Sequence, residues 1–242
     1  MVNSALYNRV FTPSAYLGGA KKKKNNFVSL INSKKEFLML VFTNLIFQLG
    51  ITYYTFVMTP ANEMKDSNMK YSKMKLWGLM IALFIVLFAM ILIKSPMIKF
   101  GLFCVFSVLQ GLLVSTIKNE TNSQIIKTSM AGVITIFVFM VTCGFVLMGF
   151  GIYLTNAFGM ILFWLLLALI IFQVISRMAG KESAMKKGFA GIGLILFSIY
   201  VVYDTNIILQ RDYYGDFITA SVDYYLDIMN IFIDLVTLNS NN

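Results

Sequence analysis

Six long apolar segments, separated by short polar ones, restrict this chain to a membrane. They cover Phe37–Thr59, Leu76–Ile93, Phe100–Ile117, Thr128–Phe150, Ala157–Ile175 and Gly188–Leu209. A transmembrane helix needs about 20 consecutive apolar residues, and each segment is close to that length. Charged residues make up only 13% of the chain, whereas soluble domains carry about 25%. The sequence therefore predicts an all-α polytopic membrane protein.

A seventh segment, Phe217–Leu238, is apolar over most of its surface but contains Asp223, Asp227, Asn230 and Asp234. Spacings of four, three and four residues place these four side chains on one helical stripe roughly 60° wide. The segment is either a seventh span with a wet inner face or a re-entrant helix beneath six spans. The predicted fold is a seven-helix bundle, and the sequence does not decide which of these two forms the last helix takes.

Two apolar segments each contain an aspartate, Asp204 in the sixth and Asp227 in the last. A central aspartate costs roughly 2.5–3.5 kcal/mol on membrane-insertion scales, so we expect each to face a partner or water and to serve a function. Asp204 is the solitary acid on its helical face, which it shares with Phe197, Tyr200 and Ile208. The chain has no histidine, so carboxylates are the natural groups for sensing protons.

Residues 1–36 are polar and basic, and residues 37–238 form the predicted membrane domain. The Lys21–Lys24 run is expected to lie in a solvated cytoplasmic tail, with a lipid-headgroup contact as the alternative. If the N-terminus is cytoplasmic, each side of the membrane receives ten basic residues. The positive-inside rule then decides the orientation only through the N-terminal block, and we predict a cytoplasmic N-terminus.

The net charge of +9 does not indicate nucleic-acid binding, because that reading requires a basic face on a soluble fold. Cys104 and Cys143 both lie inside apolar segments. We expect them to be small packing residues rather than a disulfide or metal ligands. No permanently bound cofactor is expected.

Two motifs resemble a known family. The segment FSIYVVYDTNIIL (Phe197–Leu209) closely resembles the F-S-L-x-I-V-Y-D-T-Q-x-I signature of the transmembrane Bax inhibitor motif family. The segment YLDIMNIF (Tyr225–Phe232) resembles its Y-L-D-I-I-N-L-F signature. The first span, the turn from Lys94 to Pro96 and the later Gly111 are similar more loosely. The resemblance covers about residues 35–238 and is strongest to the Lifeguard and Golgi anti-apoptotic branch.

This resemblance implies a seven-helix bundle in Golgi or endoplasmic reticulum membranes that inhibits apoptosis and is not an enzyme. It also implies a pH-sensitive calcium leak, gated by a proton-sharing pair that maps onto Asp204 and Asp227. Calcium would be the permeant ion, with these two carboxylates as its ligands. The expected partners are the lipid membrane and calcium, with apoptosis-regulating membrane proteins or a second copy of the chain as further candidates.

The chemistry of two buried carboxylates is compatible with such a gate, provided that the two side chains meet. In a low-dielectric bundle they cannot easily both ionise, so the pair would share one proton and tie the sixth helix to the last. Loss of that proton would drive the two groups apart and expose hard oxygen ligands suited to calcium.

The chain departs from the family pattern at Gln110, where glutamate is common, and at Asp223 and Asp234, where the pattern is usually non-acidic. These two acids either widen the acidic stripe, together with Asn230, into a cation path or lie at the aqueous ends of a short helix. Neutral Gln110 removes a second acidic position.

Three other functions compete with the leak channel. A non-conducting scaffold would use the aspartate pair as a latch between helices and act on cell-death proteins by contact. An intramembrane aspartyl protease would need a G-x-G-D motif, but Gly191-Ile192-Gly193 is followed by Leu194. A secondary transporter is disfavoured because the two halves of the chain show no internal repeat.

Overall fold

The computed structural model describes residues 23–60, 69–119, 121–178 and 182–240, and every regular element in these ranges is helical. They contain seven α-helices: α1 (Lys23–Met58), α2 (Met69–Leu92), α3 (Pro96–Ser115), α4 (Ser123–Gly149), α5 (Asn156–Met178), α6 (Glu182–Gln210) and α7 (Phe217–Asn239). A short 3-10 helix, Thr116–Asn119, follows α3. The predicted all-α class is confirmed. Of the Lys21–Lys24 run, Lys21 and Lys22 lie outside the described residues.

Six of these helices are long and apolar enough to cross a membrane, and they coincide with the six predicted spans, four of which extend one or two residues past the end of a helix. The apolar stretches cover Phe27–Met58, Met74–Leu92, Pro96–Lys118, Ser123–Gly149, Asn156–Ser176 and Met185–Gln210. The prediction of a multi-pass membrane protein is therefore confirmed. α1 begins upstream of Phe37, where the predicted first span starts. The apolar run stops at the charged residues before Phe37, but lysine and glutamate are good helix formers and do not end a helix.

The last helix, α7, runs through the whole bundle beside α3. Its start is held by Lys99, in the first turn of α3, which donates hydrogen bonds to Asp216 and Thr219. Beyond its other end, Ser240 contacts Thr121, which follows α3 and the 3-10 helix. The 23 residues of α7 cover about 35 Å. The last helix thus crosses the bundle from end to end and does not re-enter beneath it.

α7 is the central helix of the bundle and packs against α1, α3, α4 and α6. Tyr224, Tyr225 and Ile231 on α7 are fully buried. On the outside, α2 packs on α3 and α5 packs on α6. The outward faces of these two helices carry exposed large side chains such as Phe84 and Trp164. Such apolar surfaces fit contact with lipid.

The first and third helices approach each other closely at Gly111. A Cβ atom at this position would lie 2.7 Å from the carbonyl oxygen of Thr52 and 2.7 Å from Cβ of Thr55. Only glycine allows this spacing between α1 and α3, as is common where membrane helices pack tightly. Gly111 therefore serves packing, which positions α1 and α3 around α7.

Candidate functional site

The carboxyl groups of Asp204 and Asp227 lie within hydrogen-bonding reach of each other, across the interface of α6 and α7. Asp227 is buried, with 5% of its surface exposed, and Asp204 is half-buried. A short loop joins α6 to α7, so the two helices run antiparallel and the end of α6 faces the first half of α7. The fold thus brings together the two acids from the two sequence motifs.

Both acids line a cavity of about 260 Å³ between α5, α6 and α7. Its lining consists of Leu166, Phe197, Tyr200, Asp204, Asp223, Leu226, Asp227 and Asn230. One water molecule occupies about 30 Å³ of liquid, so the cavity has room for several. Three residues of the predicted stripe share this cavity, whereas Asp234 lies outside it. Ile208, placed by sequence on the face of Asp204, is instead buried in the core.

Asp227 has an incomplete set of hydrogen bonds. Among the residues that the structure describes, no donor gives a hydrogen bond to its buried Oδ2 atom. A buried carboxylate without donors or a counter-charge is costly. A hydrogen bond between two carboxyl groups requires a proton on one of them, so one proton shared with Asp204 would reduce this cost.

Arg211, directly after α6, supplies positive charge on one side of the cavity. Its charge acts on both Asp204 and Asp223. The guanidinium itself is exposed and donates a hydrogen bond to Oδ1 of Asn156 at 2.6 Å. Arg211 therefore acts on the acids at a distance and leaves their carboxyl oxygens available to another cation.

A tightly held metal ion does not fit this site. In the described part of the chain, no three side chains among histidine, cysteine, aspartate and glutamate lie close enough together to hold one. Calcium takes about six to eight oxygen ligands, and the two carboxylates of Asp204 and Asp227 hold four oxygens between them, so they would leave the shell incomplete. Water would have to supply most of the rest, which suits a passing ion better than a resident one.

Two tyrosines beside Asp227 fix the rotation of α7 about its axis. The hydroxyl of Tyr224 donates to Oγ1 of Thr205 on α6 at 2.8 Å. The hydroxyl of Tyr225 lies 2.6 Å from Oγ1 of Thr52 on α1. Sequence reasoning missed these two roles, although a buried tyrosine usually needs a hydrogen-bond partner. Together they turn Asp227 toward α6.

Asn206 is another residue that sequence reasoning missed. It is fully buried, accepts a hydrogen bond from the backbone N–H of Leu154 at 2.8 Å, and donates to the carbonyl of Ile152 at 3.1 Å. Gln210 adds a hydrogen bond to the carbonyl of Leu154 at 3.0 Å. The uncharged break between α4 and α5 is thereby attached to α6, close to Asp204.

Comparison with known proteins supports the resemblance seen in the motifs. Residues 34–242 match the Bax1-I family, described as "Inhibitor of apoptosis-promoting Bax1". The chain is 38% identical to Protein LIFEGUARD 1 of Arabidopsis thaliana over 85 residues, which are 34% of this chain and 35% of that protein. It is 29% identical to Bax inhibitor 1 of Schizosaccharomyces pombe over 143 residues, 57% of this chain and 52% of that protein. The matched segments thus span about a third to a half of these curated relatives.

Proposed function

The chain belongs to the Bax1-I family, and we propose that it is an anti-apoptotic, calcium-permeable leak channel gated by the Asp204–Asp227 pair. Calcium is the permeant ion, and its release lowers the content of an intracellular store. The channel would lie in Golgi or endoplasmic reticulum membranes with its N-terminus in the cytoplasm. The observation that carries the proposal is the close approach of the two carboxyl groups inside a cavity of the bundle.

In the closed state, Asp204 and Asp227 share one proton. A hydrogen bond between the two carboxyl groups then ties α6 to α7. Two carboxylates in a low-dielectric interior cannot easily both be charged, so this singly protonated state is favoured over a wide pH range. Tyr224 and Tyr225 keep α7 in the rotation that allows the contact.

Opening follows loss of the shared proton to water. Both carboxylates are then charged, their repulsion separates the two side chains, and their oxygens become available to calcium. Because opening requires deprotonation, calcium flux should rise with pH. For a gate that loses one proton, the open fraction rises about tenfold per pH unit below the midpoint.

The direct test is calcium flux against pH with purified protein in liposomes that enclose a calcium indicator. We expect a sigmoidal rise of flux with pH for the wild type. This rise should disappear in the Asp204→Asn, Asp227→Asn and double variants. Asp212→Asn is the matched control, because it removes an exposed carboxylate on the loop between α6 and α7. It should keep the wild-type curve.

Unchanged flux in the double variant would contradict the gate. Absence of any wild-type flux, combined with loss of cell protection in the variants, would favour the non-conducting scaffold, in which the same pair acts as a latch. A transmembrane reporter protein placed in the same liposomes tests the protease hypothesis. Cleavage of the reporter that depends on Asp227 would support a protease.

A further inference from the structure

We propose that Asp234 forms a second cation position, in a vestibule that lies in series with the Asp204–Asp227 cavity. The inference rests on the proposed calcium permeation and extends it to the part of the α7 stripe beyond the gate. The ligand is a hydrated divalent cation in transit.

The vestibule is a cavity of about 410 Å³ whose walls come from α2, α5, α6 and α7. Its polar and aromatic lining comprises Trp77, Gln173, Lys186, Phe189, Asp234 and Thr237. These residues lie near the helix ends on one side of the bundle: Gln173 near the end of α5, Lys186 near the start of α6, and Thr237 near the end of α7. We therefore expect water to reach this cavity from that side.

The vestibule follows the Asp204–Asp227 cavity, called the gate cavity below, along the length of α7. Asp227 and Asp234 are seven residues apart on one polar stripe, which corresponds to about 10.5 Å along the helix. Asn230 is the last α7 residue that lines the gate cavity, and Ile233 is the first that lines the vestibule. No residue lines both cavities. A cation that follows the stripe would therefore pass two separate positions.

One carboxyl oxygen of Asp234 lacks a hydrogen-bond partner among the described residues, as does one oxygen of Asp227. Within the described ranges, its buried Oδ2 atom receives no hydrogen bond. That oxygen points at Gly193 of α6, where a Cβ atom would lie 2.5 Å away. A glycine thus lets α6 approach the carboxylate without supplying any donor. Gly193 does not line the vestibule, but the Asp234 side chain does, so a cation in the vestibule would lower the cost of this charge across the side chain.

The vestibule is large enough for a hydrated divalent cation. A calcium ion with about six to eight oxygen ligands, each occupying about the 30 Å³ of a liquid water molecule, needs roughly 180–240 Å³. The vestibule exceeds that volume. Lys186 lies on the same cavity and is exposed, so its like charge weakens binding and favours release of the ion. Weak binding is what conduction requires.

Terbium luminescence can test this position without relying on flux. Tb³⁺ replaces calcium at oxygen sites and emits when a nearby tryptophan transfers energy to it. The chain has two tryptophans, Trp77 in the vestibule and Trp164 on the outer face of α5. In a Trp164→Phe background, only Trp77 can sensitise the ion when the excitation wavelength selects tryptophan. We expect emission that calcium displaces and that Trp77→Phe abolishes.

Asp234→Asn should weaken Tb³⁺ binding about tenfold, equivalent to about 1.4 kcal/mol. The Asp204→Asn/Asp227→Asn double variant should retain the emission. Gly193→Ala pushes a methyl group against Asp234 and should alter the emission. Gly191→Ala is its matched control, because a Cβ atom there meets nothing within 4 Å.

The outcomes separate this inference from the proposed function. Emission that is unchanged in Asp234→Asn, or displaced by tetramethylammonium but not by calcium, would overturn the vestibule site even if the channel conducts. Tb³⁺ binding that is weakened in Asp234→Asn, in a protein that carries no calcium flux, would leave the site standing and overturn the channel.

Discussion

The ammonium group of Lys99 lies 2.5 Å from the carboxylate of Asp216, and this contact ties the start of α3 to the start of α7. The Lys99 side chain is 8% exposed and that of Asp216 is 35% exposed. Asp216 also caps α7, because its Oδ1 atom accepts a hydrogen bond from the backbone N–H of Thr219. Partial burial acts to raise the pKa of Asp216, but hydrogen bonds from Lys99 and Thr219 outweigh it and hold the pKa below its usual range.

The Asp216→Asn variant should be less stable than the wild type only above acidic pH. Asparagine also caps helices well, so the substitution removes the charge and keeps the cap. Because the folded-state pKa of Asp216 is depressed, the ion pair stabilises the protein above the ordinary pKa and loses this effect as pH falls through the folded-state value. We expect a loss of about 1–2 kcal/mol at neutral pH, reduced by the partial exposure of Asp216.

Thermal unfolding in detergent, measured from neutral pH to about pH 3, checks this prediction. The gap between variant and wild type should narrow toward the acidic end, as the pH approaches the lowered folded-state pKa of Asp216. Asp212→Asn serves as the control on the same loop. A gap of constant size across the pH range would show that the charge of Asp216 is not its cause.

Lys118→Met should destabilise the end of α1. The Lys118 ammonium donates to the carbonyl of Phe56 and to that of Thr59 at 2.9 Å, and it lies 4.4 Å from the centroid of the Phe56 ring. These carbonyls have no partner within their own helix. We expect the free energy of unfolding to fall by about 1–2 kcal/mol. Lys127→Met, at an exposed position on α4, should leave the melting temperature unchanged, and an equal effect of both variants would refute the capping role.

Asn206→Ala should release the chain between α4 and α5. The substitution removes the partners of the Leu154 N–H and the Ile152 carbonyl, which costs about 1–3 kcal/mol. Limited proteolysis should then cut residues 151–155 faster than in the wild type, while exposed Gln124→Ala should not change the rate. If the Asn206→Ala variant is cut at the same rate as the wild type, other contacts hold this segment.

Gly111→Ala should separate α1 from α3. The new methyl group would lie 2.7 Å from the backbone oxygen of Thr52, and backbone cannot move away cheaply. We expect a net loss of about 1–2 kcal/mol, after the gain of about 1 kcal/mol that alanine brings to a helix. Gly101→Ala is the matched control on the same helix, since a Cβ atom there meets nothing within 4 Å. It should be neutral or stabilising, and a similar loss in both variants would exclude the steric explanation.

The apolar runs were sufficient to predict six spans, because hydrocarbon thickness directly sets how many apolar residues a crossing helix needs. The sequence could not decide whether the last helix runs through the bundle or re-enters beneath it. Its length suits a span, but Asp223, Asp227 and Asp234 lower its mean hydropathy. Contacts at both ends, at Asp216 and Ser240, decide that it crosses. These contacts depend on the packing of α3, which a local pattern does not contain.

The sequence placed Asp204 and Asp227 together only through the resemblance of their motifs, and the role of the pair is still a prediction. The separation of Asp234 from the other three stripe residues was not predictable. It depends on where α2 and α5 pack, and these two helices are apolar around most of their circumference, so periodicity does not define their inner faces. The hydrogen bonds of Asn206 likewise depend on the position of a distant loop.

The continuous path of α7 has a consequence for the two aqueous sides of the membrane. Lys34, early in α1, donates a hydrogen bond to the carbonyl of Arg211 beside the start of α7, whereas Ser240 lies beyond its other end next to Thr121. We therefore expect these two regions to face different compartments. A soluble kinase, protease or labelling reagent confined to one compartment should then reach either Lys34 or Ser240, but not both in the same intact vesicle.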